Sequence, residues 1–163
     1  LNLKPQTSNF QLNTLKPGDK APDFSAIDQN GNTVSLSDFK GKKLVVFFYP
    51  KADTPTCTTE ACNLRDNYQR FLEQGYEILG VSADSPKRQS KFKTKYDLPF
   101  PLLADEYHKL LNAFGVWGPK KFMGRLFDGI HRTTFVIDGK GVISEVISDV
   151  KSKRHADQIL GEK

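Results

Sequence analysis

Leu44-Val45-Val46-Phe47-Phe48-Tyr49-Pro50 is the stretch that decides the fold. An unbroken apolar run of β-branched and aromatic residues, with no polar alternation, reads as a strand covered on both faces. Pro50 cannot donate to a ladder and stops it. A helix follows. Thr54 suits its N-cap and Pro55 its first position. Ala61, Leu64, Tyr68, Phe71 and Leu72 recur at helical spacing, with Cys57 on the same stripe, until Gln74-Gly75 ends the pattern. Tyr76-Glu77-Ile78-Leu79-Gly80-Val81-Ser82 is the next strand. Strand, helix, strand implies a right-handed crossover with parallel strands.

Working outward toward the N-terminus, Asn30-Gly31 between Phe24-Ser25-Ala26-Ile27 and Thr33-Val34-Ser35-Leu36 predicts a hairpin. Ser35-Leu36-Ser37-Asp38 caps a short helical turn ending at Gly41. Residues 1–15 are polar and uneven and predict a loosely ordered extension, with one domain over residues 16–163. Toward the C-terminus, Ser85-Pro86 opens a second helix running to Tyr96. Phe100-Pro101-Leu102-Leu103 is a short strand, and residues 106–114 are helical. Residues 117–129 carry Gly, Pro and basic residues and read as a loop. Trp117, Phe122, Met123 and Phe127 within it either line a pocket mouth or cover the sheet, and covering is the preferred reading. Residues 132–138 and 141–146 form a hairpin across Gly139-Lys140, and residues 152–160 a last helix. The sum is an α/β fold, a mixed sheet with helices on both faces.

The chain has 163 residues and a formal net charge of +5. That length supports one core without disulfide staples. The densest basic stretch, Lys87-Arg88-Gln89-Ser90-Lys91-Phe92-Lys93-Thr94-Lys95, reads as a solvated helix face. No zinc-finger spacing, RNP-like strand or Arg-rich arm supports a nucleic-acid partner. No apolar run reaches the roughly 18 residues of a membrane helix. There is neither a signal-peptide pattern nor an Asn-x-Ser/Thr sequon. The two cysteines do not resemble a secreted disulfide framework, so a reducing cytoplasm is the expected setting.

Those cysteines, Cys57 and Cys62, carry the candidate chemistry. Cys57 lies in the first turn of its helix, where the dipole and unpaired N–H groups favour an anion. A buried, inert thiol is the competing reading, and the Thr-Pro cap favours activation. Residues i and i+5 of a helix lie about 140° apart around the axis and about 7.5 Å along it. A disulfide needs Cα atoms within about 7 Å and facing side chains. An intact helix therefore keeps the thiols apart, and a transient bond requires its first turns to unwind. Zinc is a weaker reading. His108, His131 and His155 could join the cysteines, but none sits at a ligand spacing and each reads as a surface or loop residue.

Pro50-x-x-x-Thr54-x-x-Cys57 resembles the signature of peroxiredoxins. Tyr49-Pro50-Lys51 and Thr54-Pro55-Thr56-Cys57-Thr58-Thr59-Glu60-Ala61-Cys62 are similar to the bacterioferritin comigratory protein (peroxiredoxin Q) branch. The resemblance runs over residues 15–160. It includes Gly18-Asp19-Lys20-Ala21-Pro22-Asp23-Phe24, Gly80-Val81-Ser82 and Arg132-Thr133-Thr134-Phe135-Val136-Ile137-Asp138. Thr56 stands where that branch usually has Gly.

The resemblance implies a thioredoxin-like fold and thiol peroxidase activity on hydrogen peroxide and organic hydroperoxides. By position, Cys57 is implied to be the peroxidatic thiol and Cys62 the resolving one. Pro50 is implied to shield the pocket, Thr54 to hydrogen-bond the peroxide, and Arg132 to support thiolate and peroxide. A thioredoxin-like dithiol protein is the implied reductant, with no metal, haem or flavin. A monomer is expected over a dimer. A redox-switched holdase and a protein thiol-disulfide exchanger are the alternatives, the latter disfavoured by the missing Cys-x-x-Cys.

Overall fold

The computed structural model describes residues 15–161. Apart from Leu15, the expected N-terminal extension lies outside the described residues. In chain order the elements begin with β1 (Ser25–Ile27), β2 (Thr33–Ser35), a 3-10 turn (Leu36–Phe39) and β3 (Lys43–Phe48). Next come α1 (Pro55–Asp66), α2 (Tyr68–Glu73), β4 (Tyr76–Ser82), α3 (Pro86–Lys95), β5 (Leu102–Ala104) and α4 (Lys109–Ala113). Last are β6 (Trp117–Phe122), β7 (Arg125–Ile130), β8 (Thr133–Ile137), β9 (Ile143–Ile147), a second 3-10 turn (Ser152–Arg154) and α5 (His155–Leu160).

A five-stranded sheet in the order β5-β4-β3-β8-β9 forms the centre. β3 pairs in parallel with β4 and antiparallel with β8, so the sheet is mixed. The apolar run at its middle splits by alternation between two cores. Val45, Phe47 and Tyr49 pack with Ala61 and Leu64 of α1, Phe71 of α2, Phe92 of α3 and Ile159 of α5. Leu44, Val46 and Phe48 pack on the other face with Phe24, Phe135 and the Leu110, Leu111 and Phe114 of the α4 region. All six residues of the run are at most 1% exposed. Each large side chain removed from water this way contributes roughly 1.5–3 kcal/mol.

The structure departs from the sequence reading in four places. The helix after β3 breaks at Asn67, whose Nδ2 donates to the carbonyl of Asn63 at 2.8 Å while its Oδ1 accepts from Arg70 at 2.7 Å. A side chain bonded to its own helix backbone competes with the ladder and bends it. Residues 117–129 are not a loop. They belong to the antiparallel hairpin β6-β7, closed by Phe122 opposite Arg125. Met123 and Gly124 in its turn have φ of 53° and 79°, the positive pair of a type I′ hairpin turn. Phe122, Met123 and Phe127 are 65%, 86% and 46% exposed, so they do not cover the sheet. Trp117 does pack against the second core and stacks on His108. The helix expected over residues 106–114 is only α4, because His108 enters a left-handed turn at φ 63°. The expected last helix divides into a 3-10 turn and α5.

Gly80 of β4 leaves no room for a side chain. A Cβ built there would lie 2.8 Å from Leu102 Cδ2 and 2.9 Å from Phe47 Cζ, both in the core. Gly80→Ala is expected to destabilise the protein by about 1–3 kcal/mol in urea unfolding, through overpacking.

Candidate active site

The site forms where β3 hands the chain to α1. Pro50 is half-buried just past the last strand residue. The loop beyond it is held from α3 and the end of β4. The amide of Ala52 donates to Asp84 Oδ2 at 2.7 Å, an atom that also accepts from Ser82 Oγ at 2.7 Å. Asp53 sits at φ 62°, and its carboxylate accepts from Lys95 Nζ at 2.9 Å and Tyr96 Oη at 2.7 Å. Those two hydrogen bonds, Tyr96 first, hold the Asp53 carboxyl below its ordinary range.

Thr54 occupies the N-cap position in extended backbone, and its carbonyl accepts the first helical bond, from the amide of Thr58 at 2.8 Å. Its hydroxyl does not cap. It donates to the carbonyl of Lys51 at 2.8 Å, because that carbonyl lies within the same tight turn. The amides of Thr56 and Cys57 precede the first helical bond and have no intrahelical partner.

Cys57 is 2% exposed. The register that pairs Phe48 of β3 with Thr133 of β8 sets Arg132 across the sheet from Tyr49 and the mouth of α1. Arg132 Nη2 donates to Cys57 Sγ at 3.3 Å, and Nη1 donates to Glu60 Oε1 at 2.7 Å. Burial alone would pull the guanidinium down, but Glu60 and Cys57 beside it hold it above its ordinary value. Lys120 of β6 adds a second cation. Its Nζ donates to the carbonyl of Ile130 at 2.8 Å, and burial, then Arg132, pulls it below the usual lysine range.

Cys62 is half-buried on the same unbroken α1, and both thiols are free. It opens on a shallow groove with Thr58, Thr59, Asn63, Asp66 and Lys153. Burial pushes the Cys62 thiol up. The structure thus brings Cys57 and Arg132 into contact, sets Pro50 and Thr54 on the loop leading into α1, and leaves Cys62 on a separate patch.

Two residues of this cluster escape the sequence reading. Glu60 is fully buried, with the acid raised to about 7 by burial, against the pull of Arg132. Its signal is a charged residue on the apolar stripe of α1, one turn past Cys57. His155 is not a surface residue: it is fully buried at the start of α5 and lowered to about 4, mainly by burial. Its Nε2 lies 3.5 Å from Glu60 Oε2. Among the described residues no group of three or more His, Cys, Asp and Glu side chains could hold a metal. Nor is any helix among them long and apolar enough to cross a membrane.

The central mixed sheet thus carries a buried thiol at a helix start, touched by a guanidinium from the residue before β8. Residues 17–146 match the AhpC/TSA family. Peroxiredoxin Bcp of Escherichia coli (strain K12) is 50% identical over 149 residues, covering 91% of this chain and 96% of that protein. Peroxidoxin BcpB of Mycobacterium tuberculosis superposes with a TM-score of 0.80 at 38% identity, over 90% of this chain and 95% of that one. The Xanthomonas campestris bacterioferritin comigratory protein, solved as trapped intermediate/ligand complexes, gives 0.80 at 35% identity, over 85% and 88%. The chain belongs to the AhpC/TSA family, in its Bcp/peroxiredoxin Q branch, and is a thiol peroxidase.

Glu60 and His155 bend the stability curve in opposite directions. Folding raises Glu60 from 4.5 to about 7, so across that window the folded state holds an extra proton and stability falls as pH rises. Folding lowers His155 from 6.5 to about 4, so stability falls as pH drops through that range. Glu60→Gln removes the first effect. Its stability relative to wild type is expected to improve by on the order of 2–3 kcal/mol between about pH 5 and about pH 8, read by urea unfolding.

Proposed function

We propose that Cys57 is the peroxidatic thiol, acting on hydrogen peroxide and organic hydroperoxides, and that Cys62 resolves it in a disulfide reduced by a thioredoxin-like protein. The observation that carries this reading is the Arg132 Nη2 to Cys57 Sγ contact of 3.3 Å at the start of α1. The guanidinium and the dipole of α1 both favour sulfur as the anion. The Cys57 thiolate attacks the nearer peroxide oxygen, the S–O bond forms as the O–O bond breaks, and the departing oxygen takes up a proton to leave as water or alcohol. Arg132 and the unpaired amide of Cys57 face the charge that spreads along this axis. The Thr54 hydroxyl already donates to Lys51, so it meets the peroxide as an acceptor for the peroxide proton. Pro50 closes one side of the approach.

The product is Cys57 sulfenic acid. Cys62 sulfur then attacks Cys57 sulfur and expels water. That step requires the first turns of α1 to open, beginning with the Thr58 to Thr54 bond. An external dithiol reduces the disulfide by exchange. Organic hydroperoxides are supported as substrates by the Xanthomonas campestris relative, whose structure is described in terms of alkyl peroxide reduction.

Cys57→Ser is expected to abolish peroxide consumption. Cys62→Ser is expected to keep one fast oxidation and lose thioredoxin-linked recycling. Mass spectrometry after one equivalent of hydrogen peroxide should show a Cys57–Cys62 bond that thioredoxin removes; full turnover by Cys57→Ser would refute the reading. Arg132→Met, with similar volume and no charge, is expected to slow the first oxidation by about 10²-fold in stopped-flow measurements.

A further inference from the structure

Behind Arg132 lies a buried pair that the reaction above leaves unused. Glu60 gives Oε1 to Arg132. Its Oε2 is buried with no hydrogen-bond partner among the described residues and faces His155 Nε2 at 3.5 Å. The tautomer of His155 follows from its neighbours. Gln158 Nε2 donates to the carbonyl of Asp149 at 2.9 Å, and Gln158 Oε1 accepts from the amide of Lys151 at 2.8 Å. The amide oxygen is therefore the atom that meets His155 Nδ1 at 2.7 Å, and Nδ1 carries the ring proton. In the neutral ring Nε2 is a lone pair, accepting from the Thr134 hydroxyl at 2.7 Å.

A carboxylate oxygen set against that lone pair is repelled. The short hydrogen bond to that lone pair is the one from Thr134, so a carboxyl O–H turned toward the same nitrogen from 3.5 Å is attracted electrostatically rather than by a second full hydrogen bond. We propose that His155 is a positioning residue for the peroxidatic site: its Nε2 favours the protonated form of Glu60, which leaves the charge of Arg132 uncompensated and available to Cys57 and the peroxide. With Glu60 ionised, Arg132 would be neutralised by its own partner. No proton transfer is involved; the effect is electrostatic and acts through Glu60 and Arg132. The inference rests on Cys57 being the reacting thiol.

Burial supports the neutral pair, raising Glu60 to about 7 and lowering His155 to about 4. The other charged and titratable groups around the cluster do not replace this role. Lys120 of β6 adds positive charge near Arg132 and Cys57, and Tyr49 of the first core is held well above its ordinary value by burial. On the α5 side Asp157 pairs with Arg70 at 3.3 Å, and Lys153 and Arg154 lie on the exposed 3-10 turn.

The test is the single-turnover oxidation of the reduced full-length chain by hydrogen peroxide, followed by quenching and mass spectrometry from about pH 5 to about pH 9. In wild type the rate constant is expected to fall on the alkaline side, with its midpoint about 7, where Glu60 ionises. His155→Asn keeps an N–H toward Gln158 but removes the Nε2 acceptor, and should move that fall about one unit lower in pH. His155→Gln places an amide oxygen near the lost Nε2 and should restore it. Glu60→Gln cannot ionise, so its profile should lack the alkaline fall, and adding His155→Asn to it should leave the shape unchanged.

Two results would overturn the inference: a wild-type profile indistinguishable from that of Glu60→Gln, or a shift by His155→Asn of equal size in both backgrounds. Should His155→Asn fail to fold, His155→Leu, which also lacks the Nε2 acceptor, replaces it with the same expected shift, and an unshifted wild-type midpoint in that variant would overturn the inference. Oxidation elsewhere in a Cys57→Ser control would instead sink the peroxidatic assignment itself, so the two failures are separable.

Discussion

A buried guanidinium between a sulfur and a carboxyl organises this molecule. The Arg132 side chain is 19% exposed and the Glu60 side chain fully enclosed. A cation in such a place costs several kcal/mol unless it is paired and hydrogen-bonded. Both partners come from α1, one turn apart, so satisfying the cation fixes the rotation of that helix against the sheet. The rotation that turns Cys57 and Glu60 inward also buries Ala61 and Leu64. Packing and electrostatics specify the same register.

The loop that feeds α1 is braced by a different set of contacts. Asp84 and Asp53 tie Ala52 and the left-handed turn to β4 and α3, and Arg65 of α1 donates to the carbonyl of Tyr96 at 2.8 Å. Farther along α1, Asn63 Nδ2 donates to the carbonyl of Lys153 at 3.0 Å, and Asn63 Oδ1 accepts from the amide of Ala156 at 2.8 Å. That second bond serves an N-terminal amide of α5, whose own N-cap residue makes no side-chain capping bond. The helix carrying both thiols is therefore anchored before Cys57 and after Cys62, and its opening turns are held as well by Arg132 on Cys57 and Glu60. Any local opening of those turns has to release the Arg132 contacts, while the flanking anchors can stay in place.

Much of this was legible from the chain. The Leu44–Tyr49 run meant a central strand because no other arrangement buries six consecutive apolar residues on a sheet. Thr54-Pro55 placed the helix start. The β6-β7 hairpin was not legible, since Lys120, Lys121 and Met123 give no alternation and its turn lacks the Asn-Gly signal. The break at Asn67 was hidden because the apolar stripe continues across it.

The amino-acid order alone determined the strand-helix-strand unit, the position of Cys57 in a first turn and the separation of the two thiols. These depend on contacts a few residues apart and on fixed periodicities. Only the tertiary structure decided that Arg132 reaches Cys57 from 75 positions away and that His155 is buried against Glu60. It also decided that the Thr54 hydroxyl turns to Lys51. Strand register and side-chain direction across a sheet are set by the packing of the whole core, which no local pattern encodes.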